Sequence, residues 1–353
     1  MIMSKVIVGM SGGVDSSVAA ALLKEQGCEV IGLTIRVKPD DGSDDDIRVA
    51  QAVAQKLGIA HQTVDCRKLF SHEVVDYFCA EYGRGRTPNP CVRCNEHVKF
   101  AVLLKKAHEL DAEFIATGHY ARIEKDKRSK KYHLKKGRDR GKDQSYFLYF
   151  LKQGIMGRIL LPLGEMKKED TRILARAFGL ASAEREESRD VCFVAGGDYR
   201  GFVGKRMPRA DEPGPIIDSE GNVLGTHRGI LSYTIGQRKG LGVSAAEPLY
   251  VTAIDTERNA IIVGSKSEVY SDELTASNLS WVEFDALKRP MEVKAKIRYR
   301  HREGDALVSP ISGNRVHVKF AQPQMAITPG QAVVFYRGPT VLGGGTIEQM
   351  GYT

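Results

Sequence analysis

No apolar run in this chain approaches the about 20 residues that a bilayer crossing requires, and Met1-Ile2-Met3-Ser4 leads straight into a short strand pattern without the parts of a signal peptide. The expectation is a cytoplasmic protein with no membrane partner. No internal repeat and no low-complexity tract is present, which excludes solenoid and fibrous architectures. Six cysteines in 353 residues are too few for a disulfide framework, so those close in sequence, Cys91 and Cys94, read as metal-binding or redox-active. Neither a metal-hydrolase ligand set nor a serine triad can be placed. One glycine-rich turn follows the first strand, but no Gly-Lys-Ser/Thr closes it, so transfer of a terminal phosphate is not implied.

What is present is a soluble-type composition, 42% hydrophobic and 27% charged, in a chain long enough for two or three domains and a sizeable core. The net charge of +8 favours a polyanionic partner, although a merely solvated basic surface would give the same number. The most informative stretch is KVIVGMSGGVDSSVAAALL, Lys5 to Leu23. Lys5 to Met10 has the β-branched, apolar form of a central parallel strand. Ser11-Gly12-Gly13 then turns the chain, and Ser11, Asp15, Ser16 and Ser17 offer caps to a helix over Val18 to Leu23. Free N–H groups behind a glycine turn form an anion site.

Strand patterns recur at Glu29 to Ile35, Ile59 to Val64 and Glu113 to Thr117. Helical patterns separate them at Asp44 to Leu57, Lys68 to Tyr82 and Glu96 to Leu110, and a further helix spans Lys167 to Phe178. Such alternation predicts an α/β, doubly wound parallel sheet whose ligands sit at the carboxyl ends of the strands, where Ile35, Gly118 and His119 fall. Gly83 to Asn95, GRGRTPNPCVRCN, reads as a loop. Arg122 to Lys142 is a basic run expected to form an exposed hairpin or partly mobile loop. Ser188 to Phe193 closes a first domain of residues 1–200. Turn signals after Tyr199 predict a small, mostly β domain over 201–271, and the strands Met291 to Arg300, Arg315 to Phe320 and Ala332 to Tyr336 predict a C-terminal β-barrel over 272–353.

Ser11-Gly12-Gly13-Val14-Asp15-Ser16-Ser17 resembles the SGGxDS loop of the ATP pyrophosphatase (PP-loop) superfamily. That resemblance implies ATP as cofactor, cradled by Gly9, Met10, Ser11, Gly12, Gly13, Val14, Asp15 and Ser16, with Ile35 and Gly118 against the adenosine. Asp15 would act through Mg²⁺, since a carboxylate beside phosphates otherwise repels them. Over nearly its whole length the chain resembles the tRNA-specific 2-thiouridylase family, through SGGVDSS, GRTPNPCVRCN, ATGHYAR, KDQSYFL, DVCFV, HRGILSYTIGQRKGLG, IRYRH and TPGQAVVFY, in that order. The resemblance implies sulfur placement on C2 of the wobble uridine. ATP would adenylate O2, because a uridine carbonyl is a poor electrophile, and a sulfur nucleophile would displace AMP. Cys94 would be the nucleophile and Cys192 the persulfide carrier, with Asp15 completing the catalytic set. Asn89, Pro90 and Cys91 would line the base pocket, and His119, Lys142, Asp143, Gln144, Arg298, Tyr299 and Gln331 would be further contacts to the anticodon loop, which must be single-stranded to expose the atom. The sulfur would come from a donor protein, a persulfide relay or cysteine desulfurase, or from free sulfide.

Thiolates are the reactive form, so a cation or helix N-terminus should lie near the cysteines, and Arg86, Arg93 and the helix from about Glu96 are the candidates. Cys28, Cys66 and Cys79 read as buried free thiols. At Cys91 many relatives, as the resemblance implies, carry aspartate. Cys91, Cys94 and Cys192 therefore allow two readings: a persulfide and disulfide cycle on Cys94 and Cys192, or three ligands of a [4Fe–4S] cluster whose open iron holds sulfide. Zinc fits less well with three ligands and no sulfur to donate. Two other classes share the loop. Another PP-loop adenylating synthetase would survive loss of Cys94 and Cys192, and a non-catalytic tRNA-binding protein would bind tRNA without consuming ATP.

Overall fold

The computed structural model describes residues 4–38, 44–185, 191–194 and 197–348. Seven strands come first: β1 (Lys5–Gly9), β2 (Glu29–Arg36), β3 (Ala60–Asp65), β4 (Phe114–Ala116), β5 (Ala121–Lys125), β6 (Tyr132–Lys136) and β7 (Ile159–Leu160). Five of them form a parallel sheet in the order β3-β2-β1-β4-β7, with β1 central. Val6, Ile7 and Val8 of β1 are fully buried, as expected of a strand covered on both faces. The carboxyl ends of β1, β2 and β4 lie on one edge, which gathers the glycine turn, Ile35 and Gly118.

Helices α1 (Val14–Glu25) and α2 (Asp45–Leu57) pack on that sheet. α1 starts four residues before the expected Val18, and its N-cap is Gly13 with no side-chain cap. The Ser16 and Ser17 hydroxyls instead donate to Gly13 O at 3.1 and 2.9 Å, which tightens the turn and leaves the first amides without a side-chain acceptor. α3 (Arg67–Phe70) and α4 (Tyr77–Gly83) join through a π-helical section, Ser71–Asp76, into one rod. A second rod begins at α5 (Pro90–Arg93), passes through π-helical Cys94–Phe100 and ends in α6 (Ala101–Glu109). This helix therefore begins six residues before the expected Glu96. Asn89 caps it by accepting from Val92 N at 3.3 Å, and Pro90 supplies a preset first position. α7 (Gln153–Met156), α8 (Lys168–Ala177) and α9 (Tyr199–Gly204) complete the helices used below. The expected closing segment Ser188 to Asp190 lies outside the described residues.

The middle of the chain holds β8 (Gly214–Ile217), β9 (Val223–His227), β10 (Tyr250–Asp255) and β11 (Ala260–Gly264), in the sheet order β10-β11-β8-β9. His227 is buried and structural here: Gly229 N donates to its Nδ1 at 3.0 Å, so Nε2 carries the hydrogen that goes to Asn259 O at 2.8 Å. The last strands are β12 (Tyr270–Trp281), β13 (Met291–Lys296), β14 (Gly304–Ile311), β15 (Arg315–Met325), β16 (Ala332–Arg337) and β17 (Thr340–Ile347). They run β12-β15-β14-β13-β16-β17 and close into a barrel through β12–β17 pairing.

The basic run departs from its expected form. β5 and β6 are a hairpin, but β6 joins β17 and so extends the barrel sheet. Lys136 is buried, paired to Glu303 at 2.5 Å and 4.3 Å above the Tyr336 ring, and Arg122 and Lys135 both pair with Glu124. Much of this charge is spent on structure, and the exposed basic residues of the run are Lys125, Lys127, Arg128, Lys130 and Lys131 at and beside the tip, with Arg138 and Arg140 after β6. One hydrophobic core runs through all three regions, containing Ile7, Phe78, Tyr146, Ile216, Val251, Val334 and Tyr336. No helix among the described residues is long and apolar enough to cross a membrane.

Candidate active site

The glycine turn is shaped by close approach. Gly12 has φ +74°, and a Cβ there would lie 2.4 Å from Asp46 O. Gly118, at the end of β4, sits on the backbone of Asp15 and Ser16, where a Cβ would approach to 2.7 Å. The loop that would cradle phosphate is thus pressed between α2 and the turn after β4. Ser11 N donates to Ser16 Oγ at 3.2 Å. The free amides of α1, the glycine backbone and the neighbouring cations fit a pyrophosphate group.

Asp15 is held by a partner that sequence reading did not supply. Lys168 Nζ lies 2.6 and 2.8 Å from its two carboxylate oxygens, and the Tyr120 hydroxyl donates to Oδ1 at 2.8 Å. Lys168 is buried at the start of α8, where the helix dipole disfavours a cation. Its pairing with Asp15 offsets that. A single carboxylate plus nucleotide phosphates is an ordinary Mg²⁺ donor set, so Asp15 fits the expected ion.

From the loop the site continues without a break to the thiols. His119 follows Gly118, stacks on Phe100 at 5.8 Å, and lies 2.8 Å through Nδ1 from Thr117 Oγ1. Burial, and then the charge of Lys99, push its pKa down to about 3, so it is neutral at physiological pH. Lys99 is in turn within electrostatic reach of Cys91, Cys94 and Cys192. Burial alone would lower the Lys99 pKa, and the three sulfurs together reverse that into a rise. Cys94 is buried and its thiol is pushed up to about 11 by loss of solvation, against which Lys99 pulls down. Cys91 shows the same direction and causes. Cys91, Cys192 and Lys99 nevertheless present surface to solvent, as groups lining an open cleft do: protein surrounds them on most sides, yet water reaches them.

The expected cations are engaged elsewhere. Arg93 pairs with Glu73 at 2.9 Å and covers the Tyr77 ring, and Arg86 pairs with Glu81 at 2.9 Å. Lys99, five residues beyond Cys94 on the π-helical section, takes the role assigned to them. All six cysteines are free, with Cys66 and Cys79 buried and Cys28 half-buried.

The chain matches, over residues 4–196, a family model described as tRNA methyl transferase HUP domain. Residues 200–265 match a tRNA methyl transferase PRC-barrel domain and residues 271–347 an aminomethyltransferase beta-barrel domain. It is 50% identical to tRNA-specific 2-thiouridylase MnmA 1 of Caldanaerobacter subterraneus over 98% of each chain, and 47% identical to MnmA of Acetivibrio thermocellus over 98% of this chain and 99% of that one. The chain belongs to the tRNA-specific 2-thiouridylase family. Among solved structures it is similar to the U34-tRNA thiolase NcsA of Methanococcus maripaludis, at 18% identity and TM-score 0.35, covering 59% of this chain and 65% of that one.

This thiouridylase is therefore a tRNA-uridine 2-sulfurtransferase with tRNA as substrate. Asn89 approaches Tyr146, near Arg298, and Phe147 packs on Tyr299 at 4.5 Å. Asn89, Arg298 and Tyr299 thus come together around the Tyr146 and Phe147 rings, which suit a splayed base, while in the turn after Asn89 Pro90 is buried and Cys91 exposed. Arg298 also donates to Met325 O at 2.8 Å. Lys142 is half-buried. Asp143 and Gln144 serve the fold. Asp143 is buried and accepts from Gly137 N, Ser145 N and Ser145 Oγ, while Gln144 Oε1 accepts from Tyr120 N at 2.9 Å. A buried aspartate with three donors has no face left for RNA.

Cys91, Cys94 and Cys192 all lie within the field of Lys99, a proximity that the persulfide and the [4Fe–4S] readings share. Among the described residues no three Cys, His, Asp or Glu side chains converge closely enough to hold one metal ion, the arrangement a zinc site needs, and burial acts against the free thiolate form at Cys91 and Cys94. A cavity of about 1020 Å³ is lined by Val64, Cys66, Phe70, Val102, Phe193 and Phe202: Phe193 follows Cys192, but neither the PP-loop nor Cys91, Cys94 or Cys192 lines it.

Proposed function

We propose that this enzyme, in the cytoplasm, adenylates O2 of the wobble uridine with ATP and replaces it with a cysteine-borne sulfur. The observation that carries this reading is the unbroken line from the PP-loop through Gly118, His119 and Lys99 to Cys91, Cys94 and Cys192. Uridine O2 attacks the α-phosphorus, and pyrophosphate leaves into the glycine cradle. Mg²⁺, held by Asp15, would neutralise phosphate charge there. Cys192 carries sulfur as a persulfide, delivered by a donor protein or formed from sulfide and an oxidised cysteine. Its terminal sulfur attacks C2, and AMP departs with the C2–O bond pair. Cys94 thiolate then attacks Cys192 Sγ, so that a Cys94–Cys192 disulfide forms and the S–S electron pair stays with the sulfur on C2. A thiol reductant restores both cysteines.

His119, neutral and half-buried, excludes a second positive charge from the space between ATP and the thiols. Lys99 offsets the loss of solvation that holds Cys94 up. The test is to incubate unmodified tRNA with ATP, a sulfur source and the enzyme, and to read wobble nucleosides by mass spectrometry and nucleotides by chromatography. 2-Thiouridine with stoichiometric AMP and pyrophosphate is expected, both absent from Asp15→Ala. ADP as the product would overturn the pyrophosphatase assignment, and undiminished thiolation by Cys94→Ser would overturn the cysteine cycle.

A further inference from the structure

Asp15, the carboxylate read as the holder of Mg²⁺, is already engaged by a cation of this chain. Lys168 Nζ bonds both of its oxygens, at 2.6 and 2.8 Å, and the Tyr120 hydroxyl adds a third bond to Oδ1 at 2.8 Å. The Lys168 side chain is only 9% exposed against 32% for Asp15, so the carboxylate still meets solvent while the ammonium is enclosed. The enclosure is firmly built. Tyr120 and Thr171 are buried with their hydroxyl oxygens 2.9 Å apart, Lys168 Nζ lies 5.8 Å from the Tyr120 ring, and Lys168 N donates to Asp139 Oδ2 at 3.0 Å.

Two features set this pair apart from one kept for stability. Lys168 is the first residue of α8, at the end of a helix that disfavours a cation, and a buried ion pair contributes little compared with packed apolar side chains. The pair also stands at the first turn of α1, whose amides and glycine turn form the phosphate cradle. A divalent ion joining Asp15 while an ammonium holds both oxygens would set two cations against one carboxylate charge at contact distance. A pyrophosphate group removes that conflict, because its oxygens accept an ammonium and its charge outweighs both cations.

We propose that Lys168 is a phosphate-binding residue of the adenylation site: it holds Asp15 until nucleotide arrives, then gives its ammonium to the pyrophosphate group and yields the carboxylate to Mg²⁺. This rests on the reading of the glycine turn as a pyrophosphate cradle. Lys168 therefore competes with the metal in the empty site and cooperates with it in the filled one. Two measurements on the full chain read these roles apart: pyrophosphate binding in EDTA by calorimetry, and Mn²⁺ binding to nucleotide-free enzyme by electron paramagnetic resonance.

Lys168→Met should bind Mn²⁺ at least threefold more tightly than the parent and pyrophosphate at least tenfold more weakly, while Lys168→Arg keeps pyrophosphate binding within threefold. Asp15→Asn, nearly identical in shape, leaves Lys168 without its carboxylate. Metal-free pyrophosphate should bind that variant at least threefold more tightly, and adding Lys168→Met should abolish the gain. Mn²⁺ binding that is unchanged or weaker in Lys168→Met would overturn the proposal, as would a gain in Asp15→Asn that survives the second substitution, since loss of the carboxylate alone would then account for it. The Asp15→Asn protein decides even where Lys168→Met does not fold: pyrophosphate bound no more tightly than by the parent overturns the proposal with Lys168 untouched. A parent enzyme that binds no pyrophosphate would remove the cradle reading itself, whereas equal binding by parent and Lys168→Met removes only the role given to Lys168.

Discussion

At the scale of single residues, the site is governed by one cation whose importance lies in its surroundings. Lys99 faces three sulfurs and a neutral imidazole, and each responds to it in a defined direction. Because Lys99 pulls the Cys94 pKa down from a value that burial has raised to about 11, Lys99→Met should move the pH midpoint of Cys94 alkylation further upward. A midpoint that stays or falls would show that Lys99 does not act on this thiol. His119 gives a second pH signature. Its folded pKa of about 3 lies below the usual 6.5, so between those values the unfolded chain binds the extra proton. Stability from this residue is fully present above pH 6.5 and declines as pH falls toward 3, by at most about 1.4 kcal/mol per pH unit. In urea unfolding, His119→Phe should therefore lose about 1 to 2 kcal/mol less than the parent between pH 6.5 and 5. Equal losses would mean that the imidazole is not held neutral.

Among the elements, those that announce themselves by local rules were legible and those that depend on distant partners were not. The PP-loop was readable because SGG after an apolar strand permits few conformations, and its strand and turn stand where the pattern put them. The start of α1 was misplaced because Ser16 and Ser17 look like caps, whereas their hydroxyls turn back to Gly13 O. Cys91 and Cys94 were found as a pair, but the helix was begun too late because Asn89-Pro90, an N-cap followed by Pro at N1, was read as loop. Lys168 carried no signal, since only the fold brings α8 to Asp15. Gly118 tests the tightest of these fits. Gly118→Val places its side chain 2.7 Å from the Asp15–Ser16 backbone and should abolish AMP formation while destabilising the protein by about 1 to 3 kcal/mol, read by nucleotide chromatography and urea melts. Wild-type turnover in that variant would refute the close packing of this turn on the loop.

For the whole molecule, sequence patterns suggested separable modules with nucleotide chemistry at one end and RNA affinity at the other. The architecture is more interlocked than that. β6, which lies in the first half of the chain, pairs with β17 near its end, Tyr146 donates to Ala332 O at 2.8 Å, and His133 meets Glu283 at 2.8 Å. A linear reading assigns each segment to its neighbours in sequence, and so it made the β5–β6 hairpin an exposed basic arm instead of an extension of the barrel. Deleting residues from Asp272 onward would uncover Leu134, Tyr146, Leu148 and Leu151, all fully buried, and leave the buried Lys136 without Glu303. That exposure outweighs the marginal stability of a domain this size. The truncated protein should therefore lose ATP binding together with tRNA binding, and show no cooperative thermal transition by circular dichroism. A truncated chain that melts cooperatively and binds ATP with unchanged affinity would separate the two halves again and confine the barrel to RNA.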